Sequence, residues 1–338
     1  MAEIEKFMNI AIGDIEKIMN IETGDIEKVM GVELPASTTS YQGGRGVAIG
    51  GYDTNTGRIA DIEYKAMASD GDTLDFGDVL AGDNRSDSAM VGNDTRAVGM
   101  GGRETDTAIN YIEYITIGST GNATDFGDST VPRTSSAGTG NGTRGISAGG
   151  YSSGVNVDNI DYITVASAGD ATDFGDMTRG SRPYSSGNAN LTRGIWQMGY
   201  DGDYSNLDFN YITIASAGNA ADFGDWSAAI TGTAGIGLIE SKNIWGGGYT
   251  SGAASEWATM EYVNPASLGN TTSQGDLGSA STQSAGKFTN GTRGELWGGA
   301  YAAHDEVQKV TIASTGNASH AGDVRNGART YWDGWTGD

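Results

Sequence analysis

The sequence predicts an all-β fold, a six-bladed β-propeller of four-stranded antiparallel blades, preceded by a short helical segment of eleven-residue repeats. Three observations support this prediction. A set of phrases recurs about every 49 residues along most of the chain. Glycine is abundant, at 55 of 338 residues, whereas proline occurs only 4 times, which is typical of many tight turns. The recurring strand-like pieces carry β-branched or aromatic residues on both faces.

The period is marked by two independent features that stay in step. One is the basic residue that opens each glycine-rich phrase, at Arg45, Arg96, Arg144, Arg193, Lys242 and Arg293. The other is a Gly-Asp pair, at Gly77-Asp78, Gly127-Asp128, Gly175-Asp176, Gly224-Asp225, Gly275-Asp276 and Gly322-Asp323. Because both features occur six times at matching intervals, we expect six structural repeats within residues 36–338.

Each repeat contains four short pieces with the composition of strands. Examples are "RGVAIGGY" (45–52), "IEYITIGS" (112–119), "TDFGD" (124–128) and "TSSAGTGNGT" (134–143). Gly, Asn, Asp and Ser separate the pieces, as hairpin connections require. A four-stranded sheet that is apolar on both faces must be covered on both sides. Radial stacking of the repeats achieves this and predicts the propeller.

The fourth piece occurs seven times in all if both ends of the repeat region are counted. The two terminal copies are "STTSYQGG" (37–44) and "RTYWDGWTGD" (329–338). We expect one of them to complete the ring by pairing an N-terminal strand with a C-terminal blade. The sequence leaves open which of the two does so.

Residues 1–35 carry a different repeat and are predicted to form a separate segment. "IEKFMNIAIGD", "IEKIMNIETGD" and "IEKVMGVELPA" follow one another every eleven residues. This period fits one helix, and the Gly-Asp seams fit three short helices equally well. Such a small segment needs another surface to bury its apolar stripe. We therefore expect a partner-binding or self-associating anchor, with packing on the propeller as the alternative; its stripe is Ile4, Met8, Ile15, Met19, Ile26 and Met30.

Composition excludes several classes of function. A formal charge of −23 disfavours nucleic-acid binding, which needs clustered Lys and Arg. The absence of cysteine excludes disulfides, thiolate metal sites and a cysteine nucleophile. No apolar run is long enough for a transmembrane helix, and the N-terminus has no secretory pattern, so we expect synthesis in a cytosol without membrane insertion.

The sequence predicts no enzyme, no cofactor and no metal site. "DFG" occurs four times without the other kinase motifs, and the repeated aspartates lack calcium-loop spacing. Four tryptophans, by contrast, do not recur from repeat to repeat; filling of gaps between divergent blades is the favoured interpretation, and stacking on sugar rings is the alternative for which they are candidates. These are Trp226, Trp257, Trp332 and Trp335.

Two resemblances follow from these motifs. The double glycines at 50–51, 101–102, 149–150 and 298–299 resemble those of kelch-type propellers, although Phe76, Phe126, Phe174 and Phe223 replace the later kelch aromatic. The repeat motifs "YITIASxGNATDFGD" and "SxxAGNGTRG" occur across residues 36–338. They resemble the repeats of virion structural proteins of tailed, myovirus-like bacteriophages of aquatic bacteria.

The phage resemblance implies a place in the virion, after assembly in the cytoplasm of the host bacterium. Residues 1–35 would then bind other virion proteins, and the propeller would be displayed as a decoration, fibre or appendage component. The alternative is an adhesin that binds a host receptor or surface glycan. Divergent loops at 103–111, 200–209 and 300–308 would suit that second role.

Overall fold

In a computed structural model of the chain, the described part comprises residues 28–29, 32–33 and most of 43–337. The gaps in the latter are 54–56, 81–84, 181–186, 202–206, 240, 250–256, 281–284, 300–303, 326, 328 and 332. The described residues form strands and turns without helices, so the prediction of an all-β fold is confirmed for them. None of them belongs to a helix long and apolar enough to cross a membrane.

The chain divides into two compact units, Met1–Thr39 and Ser40–Asp338. In the first unit, Lys28–Val29 pairs antiparallel with Val32–Glu33. These residues belong to the third eleven-residue repeat, which therefore differs from the predicted helix at this point. β-Branched valines on either side of a Met-Gly dipeptide favour such a hairpin. The rest of the predicted helical segment lies outside the described residues.

The second unit contains antiparallel sheets that share one plan, numbered sheet 1 to sheet 6. In the described residues each has four strands in the order first, second, third and fourth, and sheet 2 has an additional short strand, Arg85–Ser86. Sheet 1 consists of Asp333–Gly337, Arg45–Ile49, Asp61–Ala66 and Leu74–Asp78. Sheet 2 consists of Ala89–Gly92, Arg96–Glu104, Thr107–Thr116 and Thr124–Asp128. Sheet 3 consists of Ala137–Gly140, Arg144–Ala148, Asn159–Thr164 and Thr172–Asp176.

The remaining sheets repeat the plan with small differences in strand length. Sheet 4 consists of Asn188–Ala189, Arg193–Gln197, Asp208–Thr213 and Ala221–Asp225. Sheet 5 consists of Ala234–Ile239, Lys242–Gly246, Thr259–Val263 and Thr272–Asp276. Sheet 6 consists of Ala285–Thr289, Arg293–Gly299, His304–Thr311 and Ser319–Asp323. Two small sheets add Tyr52–Asp53, Gly57–Arg58, Arg329–Thr330, Tyr151–Ser152 and Val155–Asn156.

Sheet 1 takes its first strand from the C-terminal end of the chain. Asp333–Gly337 pairs with Arg45–Ile49 along its whole length, from Ile49 opposite Asp333 to Arg45 opposite Gly337. The terminal phrase is thus the one that completes a sheet, which the sequence had left open. Residues 37–42 of the other candidate phrase lie outside the described residues.

The sheets have a propeller-like arrangement in which consecutive first strands contact one another. This holds from sheet 1 through sheet 6, and the first strand of sheet 6 contacts that of sheet 1. Glycines make the approach possible. A Cβ on Gly138 would clash with the Met90 carbonyl of the neighbouring strand, and a Cβ on Gly286 would clash with Gly235. The apolar core lies between sheets: one cluster joins Met67 of sheet 1 to Phe288 of sheet 6.

A second set of contacts joins the sheets through their backbones. The turn after each third strand donates two N–H groups to carbonyls on the fourth strand of the preceding sheet. Between sheets 2 and 3, Gly169 N donates to Phe126 O and Ala171 N to Asp128 O, each at 2.7 Å. The same two bonds occur at every junction, including Gly71 N to Ala321 O and Thr73 N to Asp323 O between sheets 1 and 6. Backbone groups at each sheet edge are thereby satisfied.

The side chain that follows the turn glycine adds a third bond to each junction. It accepts from the backbone N–H of the aspartate in the repeated Gly-Asp pair, at 3.0–3.1 Å. The acceptors are Asp72, Asn122, Asp170, Asn219, Asn270 and Asn317. The Asp of the Gly-Asp pair therefore contributes its backbone amide to the junction, and the bond explains why an acceptor side chain, Asn or Asp, recurs after the turn glycine.

The repeated basic residue also connects neighbouring sheets. The Arg144 guanidinium lies 4.6 Å from the centroid of the Tyr162 ring, which meets Phe174 edge-on at 5.9 Å. Its Nη1 donates to the Ile214 carbonyl of the next sheet at 2.9 Å. Arg45, Arg96 and Arg193 make equivalent contacts. One side chain thus packs on its own sheet and bonds the next.

The glycine of the Gly-Asp pair should tolerate no side chain. Gly127 has φ of 147° and an added Cβ would lie 2.5 Å from the Gly169 carbonyl carbon. Gly169 has φ of 155° with no atom near its Cβ position. We expect Gly169→Ala to lower the free energy of unfolding by about 1–3 kcal/mol through backbone strain, and Gly127→Ala by roughly 2 kcal/mol more. Urea denaturation of both variants measures the difference, and equal losses would contradict the close-approach explanation.

Candidate functional site

A buried arginine anchors one end of sheets 1, 2 and 3. The three arginines enter just after a fourth strand and pair with an acid on a third strand, with side chains at most 1% exposed and nitrogen–oxygen distances of 2.8 Å. The pairs are Arg329 with Glu63, Arg85 with Glu113 and Arg133 with Asp161. A buried ion pair adds little net stability, but breaking one is strongly destabilising, so each pair fixes its segment in place.

Two residues after each arginine, the backbone adopts a left-handed conformation. The φ values are 57° at Tyr331, 61° at Asp87 and 58° at Ser135. Asp87 N donates to Tyr331 O at 2.6 Å, and Ser135 N donates to Asp87 O at 3.0 Å. The three residues therefore form a short row across the ends of sheets 1 to 3. Non-glycine residues in such conformations cost about 1–3 kcal/mol each and often mark functional positions.

These three residues line a cavity of about 460 Å³. The small sheet that pairs Thr330 with Tyr52 and Tyr52 with Arg58 supplies one wall. The hairpin joining the second and third strands of sheet 2 supplies the other wall. The lining comprises two tyrosines, two arginines, two aspartates and two serines: Tyr52, Tyr331, Arg58, Arg103, Asp87, Asp106, Ser86 and Ser135.

Asp87 is an acidic residue of this cavity whose pKa is shifted by its surroundings. Burial raises the pKa of its carboxyl group above the ordinary value of 3.8. The Ser86 hydroxyl, which donates to Oδ2 at 2.9 Å, and the Arg103 and Arg58 guanidinium groups oppose that rise. None of the described ion pairs includes Asp87. The carboxylate is therefore attracted by two arginines without direct pairing to either.

The two arginines retain hydrogen-bonding capacity. Arg58 Nη2 contacts Asp106 Oδ1 at 3.1 Å, but the Asp106 side chain is 97% exposed, so this pair is weak. The Nε atoms of both Arg58 and Arg103 are buried without a hydrogen-bond partner among the described residues. A buried N–H donor without an acceptor is unfavourable, and a bound ligand could supply the acceptor.

A second cavity of about 340 Å³ adjoins the first. It lies between the hairpin of sheet 2 and the Tyr151–Gly154 hairpin of sheet 3, and it shares Arg103 and Asp106 with the first cavity. Thr134, which pairs with Tyr151 through two backbone hydrogen bonds, lies in its wall. The two cavities lie on either side of this hairpin of sheet 2, and we call them together the hairpin groove.

The chemistry of the hairpin groove is that of a binding site with paired donors and acceptors. It combines guanidinium donors, carboxylate acceptors and hydroxyl groups that can do both. Tyr52 and Tyr331 meet edge-on, with ring centroids 6.4 Å apart, and add apolar ring surface. Within the described ranges, no three His, Cys, Asp or Glu side chains are placed to hold a metal ion.

Two of the tryptophans predicted to stack on sugars are buried in the core. Trp226 is 2% exposed and stacks on Phe209 at 5.7 Å, and Trp335 is 3% exposed within the first strand of sheet 1. Neither ring offers a face to a ligand, so the expectation of exposed stacking faces is corrected for these two. Trp257 is partly buried against the same cluster as Trp226. Trp332 lies outside the described residues.

The predicted anchor residues cannot be placed by the structure. Ile4, Met8, Ile15, Met19, Ile26 and Met30 all lie outside the described residues. Of the three divergent loops, the one beginning at residue 103 forms the partition between the two cavities. That loop was the available sequence signal for the site. Arg58, Asp87 and Tyr331 were missed, because sequence spacing does not reveal that three distant segments form one row.

The sequence matches no model of a protein family, and no curated protein matches it.

The raised pKa of Asp87 predicts a pH-dependent effect of Asp87→Asn. The folded chain binds this proton more tightly than the unfolded chain, so the contribution of Asp87 to stability falls as pH rises from 3.8 through the raised pKa. Asn mimics the protonated acid and tolerates the left-handed conformation. Unfolding free energies should therefore be similar for both proteins below pH 3.8 and higher for Asp87→Asn at neutral pH. A difference that is independent of pH would contradict the assignment.

Proposed function

We propose that residues 40–338 form a closed six-bladed propeller. Two observations support closure. The C-terminal strand completes sheet 1, and the junction between sheets 6 and 1 has the same backbone hydrogen bonds as the other junctions. Closure explains how six sheets with two apolar faces each are covered without further partners. Sheets 1 to 6 are then the six blades that the two sequence markers predict.

We further propose that the protein is a non-enzymatic structural component of a tailed-phage particle, as a decoration, fibre or appendage protein. The observation that carries this proposal is how the repeated residues are used. The repeated Gly-Asp pair, the turn Asn or Asp and the basic residue each make a bond to a neighbouring sheet. The repeated residues therefore build a rigid, self-contained domain that is suited to display. The resemblance of the repeat motifs to phage virion proteins is the support for a place in the virion.

In this proposal, attachment is the role of residues 1–35. Their apolar stripe would bind other virion proteins, or copies of itself, while the propeller extends from the particle. The support is the eleven-residue period and the need of so short a segment for a larger surface.

A host-binding adhesin is the second candidate, and the hairpin groove favours it. Three residues that line the groove, Arg58, Asp87 and Arg103, do not recur in the other repeats, unlike those at the junctions. Tyr52, by contrast, recurs as Tyr151, Tyr200 and Tyr249. The two candidates are compatible, because one concerns how the protein is held and the other what it contacts.

Closure predicts that the propeller depends on its terminal strand. Removing residues 333–338 should expose the edge of Arg45–Ile49 and lower the unfolding midpoint strongly, or cause association of chains through that edge. Averaged electron-microscopy images of the intact chain should show a ring with six lobes. A different number of lobes, or an unchanged midpoint after the truncation, would contradict closure.

The virion proposal predicts that antibodies against the purified protein label particles of a phage that encodes it. Deleting residues 1–35 from the phage gene should abolish labelling and incorporation, while the separately expressed truncated protein keeps the β-sheet circular dichroism and unfolding midpoint of the full chain. A second variant, Met8→Asp with Met19→Asp, keeps the segment and alters only its predicted binding face. Incorporation that survives either change would contradict attachment through this segment.

A further inference from the structure

We infer that the hairpin groove binds an uncharged carbohydrate chain of at least two sugar units. This inference deepens the adhesin candidate and does not depend on attachment to a particle. It rests on the side chains chosen at strained positions, on the balance of charge in the groove and on its division into two adjoining cavities.

The left-handed positions require a backbone conformation and not a particular side chain. Thr231 exchanges two backbone hydrogen bonds with Tyr249, as Thr134 does with Tyr151, so Gly232 occupies the position of Ser135. Gly232 has φ of 71°, close to the 58° of Ser135, and meets the conformational requirement without strain. Glycine is thus sufficient for the architecture. Tyr331, Asp87 and Ser135 are disfavoured there, and what they share is that their side chains line the groove.

The charges in the groove select an uncharged ligand. Arg58 and Arg103 balance Asp87 and Asp106, within a chain of net charge −23. An anionic ligand would meet two carboxylates and the negative field of the whole chain, and a cationic ligand would meet two guanidinium groups. A neutral polyol avoids both conflicts.

Sugar hydroxyls also match the hydrogen-bonding inventory. Each hydroxyl donates one hydrogen bond and accepts others, so adjacent hydroxyls can donate to the Asp87 carboxylate and accept from the unpartnered Nε–H of Arg103 or Arg58. Such charge-assisted bonds are stronger than those between neutral groups. The Tyr52 and Tyr331 rings can cover the C–H groups of a sugar.

The division of the groove sets the minimum length of the ligand. The two cavities, about 460 and 340 Å³, each fall in the range of roughly 300–1,000 Å³ typical of small-molecule sites. They adjoin at Arg103 and Asp106. A chain of sugars can occupy both cavities across this partition, whereas a single sugar can fill only one. Arg103 is then the residue in contact with both units.

The test uses the full chain and a panel of defined saccharides. Neutral hexoses, 6-deoxyhexoses, N-acetylhexosamines and their disaccharides would be screened by saturation-transfer NMR and quantified by calorimetry, beside N-acetylneuraminic acid, glucuronic acid and glucosamine as charged comparators. We expect at least one neutral disaccharide to bind more tightly than its component sugars and than every charged comparator, with little dependence on salt. Absence of binding by all neutral saccharides, or preference for a charged one, would overturn the inference.

Variants locate the binding. Asp87→Asn and Arg103→Gln should each weaken the best neutral disaccharide about tenfold or more, since each removes a charge-assisted hydrogen bond. Asp125→Asn is the matched control, because Asp125 loses the same charge on the exposed fourth strand of sheet 2. Its affinity should stay within about twofold of the unaltered chain. Circular dichroism confirms folding of each variant, and unchanged affinity in both groove variants would overturn the placement of the site.

Discussion

The approach of one backbone to another at the Gly-Asp pair is the constraint on which the rest of the structure depends. The turn that bonds the preceding sheet can reach its carbonyls only where Gly127 and its equivalents carry no Cβ. Each junction then gains two backbone bonds and one side-chain bond without burying an unsatisfied amide. Glycine is abundant in the chain because the same approach is repeated at each junction, and again between first strands.

Much of the architecture was predictable because its determinants are local and repeated. Two markers in step predicted the repeats, and turn residues between apolar pieces predicted four strands in each. What could not be predicted depends on where distant segments meet. The sequence offered two terminal phrases for the open edge of sheet 1, and only the pairing of Ile49 with Asp333 distinguishes them. For the same reason Trp335 looked like an exposed, non-repeating aromatic, although it is buried within the first strand of sheet 1.

The junctions between sheets depend mainly on backbone groups, whereas the groove is defined by its side chains. Junctions use backbone groups and small turn residues that recur at every junction. A basic side chain adds contacts that recur at Arg45, Arg96, Arg144 and Arg193. The row formed by Tyr331, Asp87 and Ser135 keeps its backbone bonds although its side chains differ completely. Sequence comparison between repeats therefore detects the scaffold well. It detects the groove only as departures from the pattern.

The buried arginines show how the groove can vary without loss of the fold. Arg85 bonds Glu113 and the Gly101 carbonyl beneath the groove, so the chain is fixed before it reaches Asp87. The row is bonded through its backbone, and the hydrogen bonds that the Asp87 carboxylate accepts from the Ser86 and Ser135 hydroxyls are not part of the junctions. The side chain at this position can therefore change without altering the junctions. Side-chain chemistry is therefore free to differ where sheets 1 to 3 end. The bonds that hold neighbouring sheets together are unaffected, because they lie on the fourth strands and their turns.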